Sequence, residues 1–179
     1  SRIEELYDKM CNEMNQKIKE HGRNAMYELG LSKISPELIE AIGKLKFRSS
    51  YGQNALQHSM EVAKISGLIA GEIGENVALA KRAGLLHDIG KAIDFEMEGS
   101  HVTIGRDLAK KYGEDDIVIN AIESHHGDVK PNSIIATIVS IADSISASRP
   151  GARNDSSENY FQRLEQLEKI GNEMSGVEK

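Results

Sequence analysis

Apolar side chains recur every three or four residues through most of this chain, and that spacing favours one architecture, helices packed on helices. From Ile3 to about Leu29 the series Ile3, Leu6, Met10, Met14 and Ile18 predicts a long amphipathic helix, stopped by Gly30, of the kind used as a packed or coiled-coil arm. Ser35-Pro36-Glu37 opens a second helix with a hydroxyl cap, a proline at the first helical position and a carboxylate in the first turn. Asn54, Asn76, Ser100, Asp115 and Ser133 open further helices, and glycines such as Gly74, Gly90, Gly113 and Gly127 close or bend them. A last amphipathic helix is expected through Tyr160, Phe161, Leu164, Leu167 and Ile170. Ile134 to Ile141 is rich in β-branched residues, but its length and the following Ala-Asp-Ser-Ile-Ser-Ala favour helix. The expectation is an all-α bundle of roughly seven or eight helices.

With 179 residues, 39% of them hydrophobic, the chain can build one core. Its net charge of -6 excludes the broadly basic surface of a non-specific nucleic-acid binder. Any such contact must come from a local patch, of which Lys44, Lys46 and Arg48 form the first, or from another module. The single cysteine, Cys11, excludes an internal disulfide and a cysteine-based zinc cluster, which fits a reducing, cytoplasmic setting. No apolar run approaches membrane-spanning length, and the polar start Ser1-Arg2-Ile3-Glu4-Glu5 is not a targeting signal. The Ser1 start and the polar tail from Asn172 to Lys179 suggest a piece of something longer.

Five of the six histidines fall between residues 58 and 126, in the order His58, His87-Asp88, His101, His125-His126, with Asp143 following. Each stands near the end or on the inner side of a predicted helix, and a bundle can bring such residues together on a metal ion. Neutral imidazole with carboxylate suits Mn, Fe, Zn, Ni or Co, and Mg where water completes the shell. Alone, His58 or His101 is more commonly a packing residue. The weight comes from Asp143, a charge in the most apolar helix that needs a partner, and from His-Asp and His-His motifs that each run into a glycine.

Taken in order, His58, His87-Asp88 and Asp143 resemble the motif of the HD superfamily of metal-dependent phosphohydrolases. His101 and His125 resemble the extra ligands of its two-metal members, and Lys91 the lysine that often follows the His-Asp pair. The segments 46–54, 80–94, 98–101, 124–129 and 149–153 more closely resemble the ribonuclease Y family. That resemblance implies an HD-domain helical bundle with a long N-terminal linker helix. It divides the chain into an arm (1–45), an HD catalytic domain (46–150) and a C-terminal helix (151–179) leading to a further domain that is missing here.

The implied activity is metal-dependent endoribonucleolytic cleavage of single-stranded RNA, initiating bacterial messenger RNA decay. A homodimer and RNA-degradation proteins are the implied partners. The full-length protein would be anchored to the cytoplasmic face of the cell membrane, while this fragment makes no membrane contact. One or two divalent ions, Mn2+ or Mg2+ ahead of Zn2+, Fe2+ or Ni2+, are expected on His58, His87, Asp88, Asp143, His101 and His125. Asp88, Lys91 and His126 are the expected catalytic residues: Lys91 neutralises charge on the phosphate, and His126 either protonates the leaving oxygen or orients His125. Arg149, Arg153, Lys46 and Arg48 are the expected RNA contacts, the alternative for the two loop arginines being anchoring salt bridges. Tyr51 is a candidate for stacking a base. Two other readings use the same residues, a nucleotide or cyclic-dinucleotide phosphohydrolase and a metal-stabilised scaffold inactive as a fragment.

Overall fold

The computed structural model describes residues 1–50, 52–96, 98–149, 152 and 164–170. Its α-helices are α1 (Arg2–Leu29), α2 (Pro36–Lys44), α3 (Ala55–Ile73), α4 (Val77–Leu86), α5 (His101–Lys111), α6 (Asp116–Ser124) and α7 (Ile134–Ser148). Short 3-10 turns, Leu45–Phe47 and Ile89–Ala92, follow α2 and α4. The expected all-α bundle with its long first helix is what the chain forms.

The helices start where a side chain can take up a free backbone N–H. Ser35 accepts from Leu38, Asn54 from Gln57, Asn76 from Leu79, Ser100 from Thr103 and Ser133 from Ala136. Each such cap stabilises its helix by about 1 kcal/mol. Ahead of α3, a small antiparallel ribbon pairs Ser49 with Asn54 and Ser50 with Gln53. Asn54 ties the ribbon down at both ends: its Oδ1 caps α3 and its Nδ2 donates to the Lys46 carbonyl at 2.7 Å.

One apolar cluster runs from Ala25 of α1 to Ala142 of α7, with Leu38, Ile42, Leu45, Leu85, Leu86, Ile89 and Ile122 fully buried. The first half of α1 stays outside it: Ile3, Leu6, Met10 and Met14 are 81%, 62%, 55% and 44% exposed, whereas from Ile18 onward the helix packs on α2. This is the arm that the periodicity suggested. α7 lies against α3, α4 and α6. Of the expected last helix, residues 164–170 are helical and exposed, while Tyr160 and Phe161 fall outside the described residues. Among the described residues no helix is long and apolar enough to cross a membrane.

The close approach of α3 and α4 is built on Gly84, where a Cβ would lie 2.8 Å from the Cα of Ala63. Backbone cannot give way as a flexible side chain does, so overpacking outweighs the ~1 kcal/mol that alanine gains over glycine in a helix. Gly84→Ala is therefore expected to lower unfolding stability by about 1–3 kcal/mol in urea denaturation.

Candidate metal centre

The bundle turns the ends of four helices and the middle of a fifth toward one point. His58 stands in the first turns of α3, His87 and Asp88 at the end of α4, His101 at the start of α5, His125 and His126 at the end of α6, and Asp143 in the middle of α7. The turn that carries Asp88 rests directly on the start of α5: a Cβ on Gly90 would lie 1.9 Å from the His101 carbonyl oxygen. Gly90 is thus less a helix breaker than the residue that lets His101 reach Asp88.

Asp88 divides the surrounding imidazoles into two groups. Its Oδ2 lies 3.5 Å from His87 Nε2 and 3.8 Å from His58 Nε2. Its Oδ1 lies 3.5 Å from His101 Nε2 and 3.6 Å from His125 Nε2. Asp143 Oδ1 joins the first group, 3.0 Å from His58 Nε2 and 3.8 Å from His87 Nε2. The ligand atoms of His58, His87 and Asp143 lie within 4.8 Å of one another, as do those of Asp88, His101, His125 and His126. Every metal-ligand candidate of the sequence is therefore in one cluster.

Hydrogen bonds orient three of the rings. His87 Nδ1 donates to the Gly84 carbonyl at 2.8 Å and His125 Nδ1 to the Ile122 carbonyl at 2.8 Å, each taking up a carbonyl at the end of its own helix. A carbonyl can only accept, so Nε2 of each ring is left as the donor atom for a metal. His58 Nδ1 lies 2.9 Å from Ser146 Oγ, whose own hydrogen goes to Glu61 Oε2 at 2.7 Å. His101 and His126 meet Nε2 to Nε2 at 3.0 Å.

Two buried polar atoms in this cluster are left without a hydrogen-bond partner. Asp88 Oδ1 and His125 Nε2 make no hydrogen bond among the described residues. An unmet buried group costs about 1–3 kcal/mol. Two acceptors facing each other are satisfied by a cation between them, and the cluster of imidazoles and carboxylates can hold one. The donor set fits a metal ion.

The titration behaviour follows from burial. Desolvation pushes His87 down to about 4, against the pull of the Asp88 carboxylate. Burial also lowers His101 and His126. For Asp88, burial is the largest single influence and raises the pKa, but His87, His125 and Lys91 together outweigh it and hold the carboxyl well below the usual range. Asp143 is likewise opposed by burial and brought to about 2, chiefly by His58.

The expected cations are placed differently. Lys91 Nζ sits 2.6 Å from Asp88 Oδ2 at the edge of the cluster. Arg48 pairs with Asp94, donates to the Lys91 carbonyl at 3.0 Å and covers the Phe95 ring. Arg149 pairs through Nε with Glu61 Oε1 at 2.7 Å, the salt-bridge alternative for that loop. Lys46 lines a shallow groove between α1 and α3 that also contains Lys64 and Arg149. Arg153 and Tyr51 lie outside the described residues.

Three neighbours of the site escaped the sequence reading. Glu61 is one turn beyond His58 and Ser146 one turn beyond Asp143, so their spacing from the recognised ligands was the available signal. Gln53, on the ribbon, lines the mouth with an Nε2 that finds no acceptor among the described residues.

The depressed pKa of His87 carries a sign. The folded chain refuses a proton that the unfolded chain binds, so stability is intact above about pH 6.5 and is lost as pH falls toward about 4. The loss is on the order of 3 kcal/mol by linkage. Urea denaturation in chelator between pH 7 and 4 checks it, and His87→Gln should flatten the dependence over that window.

The HD domain profile matches residues 55–148, more than half of the chain. Curated ribonuclease Y proteins are similar along its whole length: that of Streptococcus agalactiae serotype III is 58% identical over 99% of the chain, and that of Acetivibrio thermocellus 59% identical over 100%. The chain spans about a third of these relatives, 33% and 34% of their lengths. A crystal structure of a predicted HD superfamily hydrolase from an uncultured Thermotogales bacterium superposes with a TM-score of 0.51 at 21% identity, covering 76% of this chain and 91% of the other, and it shares the fold. With the HD motif residues gathered in one buried cluster and the profile spanning all of the helices that carry them, the chain belongs to the HD domain family.

Proposed function

We propose that this chain is the hydrolytic part of a metal-dependent endoribonuclease that cleaves phosphodiester bonds of single-stranded RNA in messenger RNA decay. The observation that carries the reading is the Asp88 carboxylate, set between two groups of imidazoles with its Oδ1 unpartnered. The likeness to ribonuclease Y supplies the substrate class.

His58, His87, Asp143 and one oxygen of Asp88 would hold one divalent ion, and the other oxygen of Asp88 with His101 and His125 a second. Bound there, a divalent ion supplies Lewis acidity, bringing a ligated water toward neutral pKa and polarising a phosphoryl oxygen. The nitrogen-rich donor set favours Mn2+, Fe2+ or Zn2+ over Mg2+, which prefers oxygen ligands. Lys91 stands at the mouth and can balance charge that develops on the phosphate oxygens. His126 is held against His101 with a lowered pKa, and a nearby cation would lower it further. That geometry suits a ligand or an orienting partner of His101 as well as a proton donor to the leaving oxygen.

The cleft at the cluster is small. Lined by Ser50, Gln53, His58, Asp88, Lys91 and Asp143, it has a volume of about 20 Å3. A cavity of that size has room for about one water, far below the roughly 300–1,000 Å3 of sites that enclose a drug-sized ligand. A phosphodiester presented from outside fits better than an enclosed nucleotide. Lys46, Arg48, Arg149 and Arg153 are the proposed backbone contacts, Arg48 and Arg149 sharing that duty with their internal ion pairs.

His87→Ala and Asp88→Ala are expected to abolish Mn2+-dependent cleavage of single-stranded RNA while circular dichroism still reports a folded helical chain. Cleavage that persists in both variants, or wild-type activity untouched by chelator, refutes the assignment. A parallel panel of nucleotides and cyclic dinucleotides should be hydrolysed poorly; preference for them over RNA selects the other HD chemistry. For the second ion, metal analysis at saturating Mn2+ should approach two per chain, and a plateau at one argues for a single centre.

A further inference from the structure

We propose that Glu61 and Ser146 set the ring of His58 for metal binding, which makes them positioning residues of the site. The proposal rests on the metal-dependent reading above. It comes from a difference between His58 and its neighbours. His87 and His125 each hand their Nδ1 hydrogen to a backbone carbonyl at the end of a helix. His58 lies in the first turns of α3, and its Nδ1 meets a side-chain hydroxyl instead.

A hydroxyl is ambivalent, since Ser146 Oγ can accept from Nδ1 or donate to it. Donation would leave His58 as the tautomer with its hydrogen on Nε2, pointing at Asp143 Oδ1 only 3.0 Å away. That arrangement is well satisfied without a cation and competes with metal binding. Glu61 removes the ambiguity. Its Oε2 lies 2.7 Å from Ser146 Oγ, and a carboxylate only accepts, so the single Ser146 hydrogen is spent there. Oγ then accepts from Nδ1, and Nε2 becomes the metal-facing atom. Ser146 is fully buried, and Arg149 holds the other Glu61 oxygen at 2.7 Å, so solvent does not scramble the hydrogen and the carboxylate cannot easily turn away. Thus Arg149, Glu61, Ser146 and His58 form a chain that runs from the protein surface into the cluster.

The partners that orient a ligating histidine typically change metal affinity by about 10–100-fold when removed. Mn2+ binding to the 179-residue chain, followed by electron paramagnetic resonance of the free ion, tests this without activity. Glu61→Ala and Ser146→Ala are expected to weaken binding by about tenfold or more in the class of sites that contains His58. Glu61→Gln keeps a carbonyl oxygen for the Ser146 hydrogen and should restore most of the affinity; because Glu61 is partly exposed, both of its variants should keep the wild-type melting temperature in chelator. In the Zn2+-loaded wild type, nitrogen-15 shifts should identify Nδ1 of His58 as the protonated ring atom. Wild-type Mn2+ affinity in Glu61→Ala and Ser146→Ala, a Glu61→Gln variant as weak as Glu61→Ala, or a protonated Nε2 would each overturn the proposal. A wild-type chain that binds no Mn2+ would instead overturn the underlying metal reading, and His87→Ala serves as its control.

Discussion

A carboxylate at the centre of a helical bundle has to be balanced, and the balance around Asp88 organises the rest of the chain. The group is 2% exposed and ionised. In a medium that solvates charge poorly, an unpaired carboxylate would be several kcal/mol out of place. Lys91 meets one oxygen, four imidazoles surround both, and the remaining deficit is one that a cation could fill. The helices are arranged to make this possible, since α4 and α6 end at the cluster while α3 and α5 begin there. The site is a property of element ends, and the apolar cluster behind it keeps those ends together.

Ring orientation is settled by the same construction. Two histidines terminate helices and satisfy carbonyls that would otherwise be unmet, so one hydrogen bond caps a helix and points a nitrogen at the centre. The burial that makes the electrostatics strong also depresses His87, against the pull of Asp88. Close backbone contacts complete the arrangement: Gly84 allows α4 to approach α3, and Gly90 allows the Asp88 turn to lie on α5.

In the proposed reading, chemistry and recognition are separated. The cleft at the cluster is small, the chain is acidic overall, and the arginines nearest the site hold internal partners as well. Such a surface handles a phosphodiester that is brought to it more readily than one it must capture.

By itself, the sequence determined the local structure and the identity of the metal-binding candidates. Helix starts at Ser35, Asn54, Asn76, Ser100 and Ser133 and the arm of α1 follow from short-range hydrogen bonding and apolar spacing, which neighbouring residues decide. His58, His87, Asp88, His101, His125 and Asp143 were legible because their order resembles a known motif. The two-group arrangement about Asp88, the ion pairs of Arg48 and Arg149, and the link from Glu61 through Ser146 to His58 were decided only by the tertiary structure. Glu61 and Ser146 are 85 positions apart, and Asp88 meets ligands on four helices. No periodicity encodes such contacts, because they exist only once packing has set the angles and distances between helices.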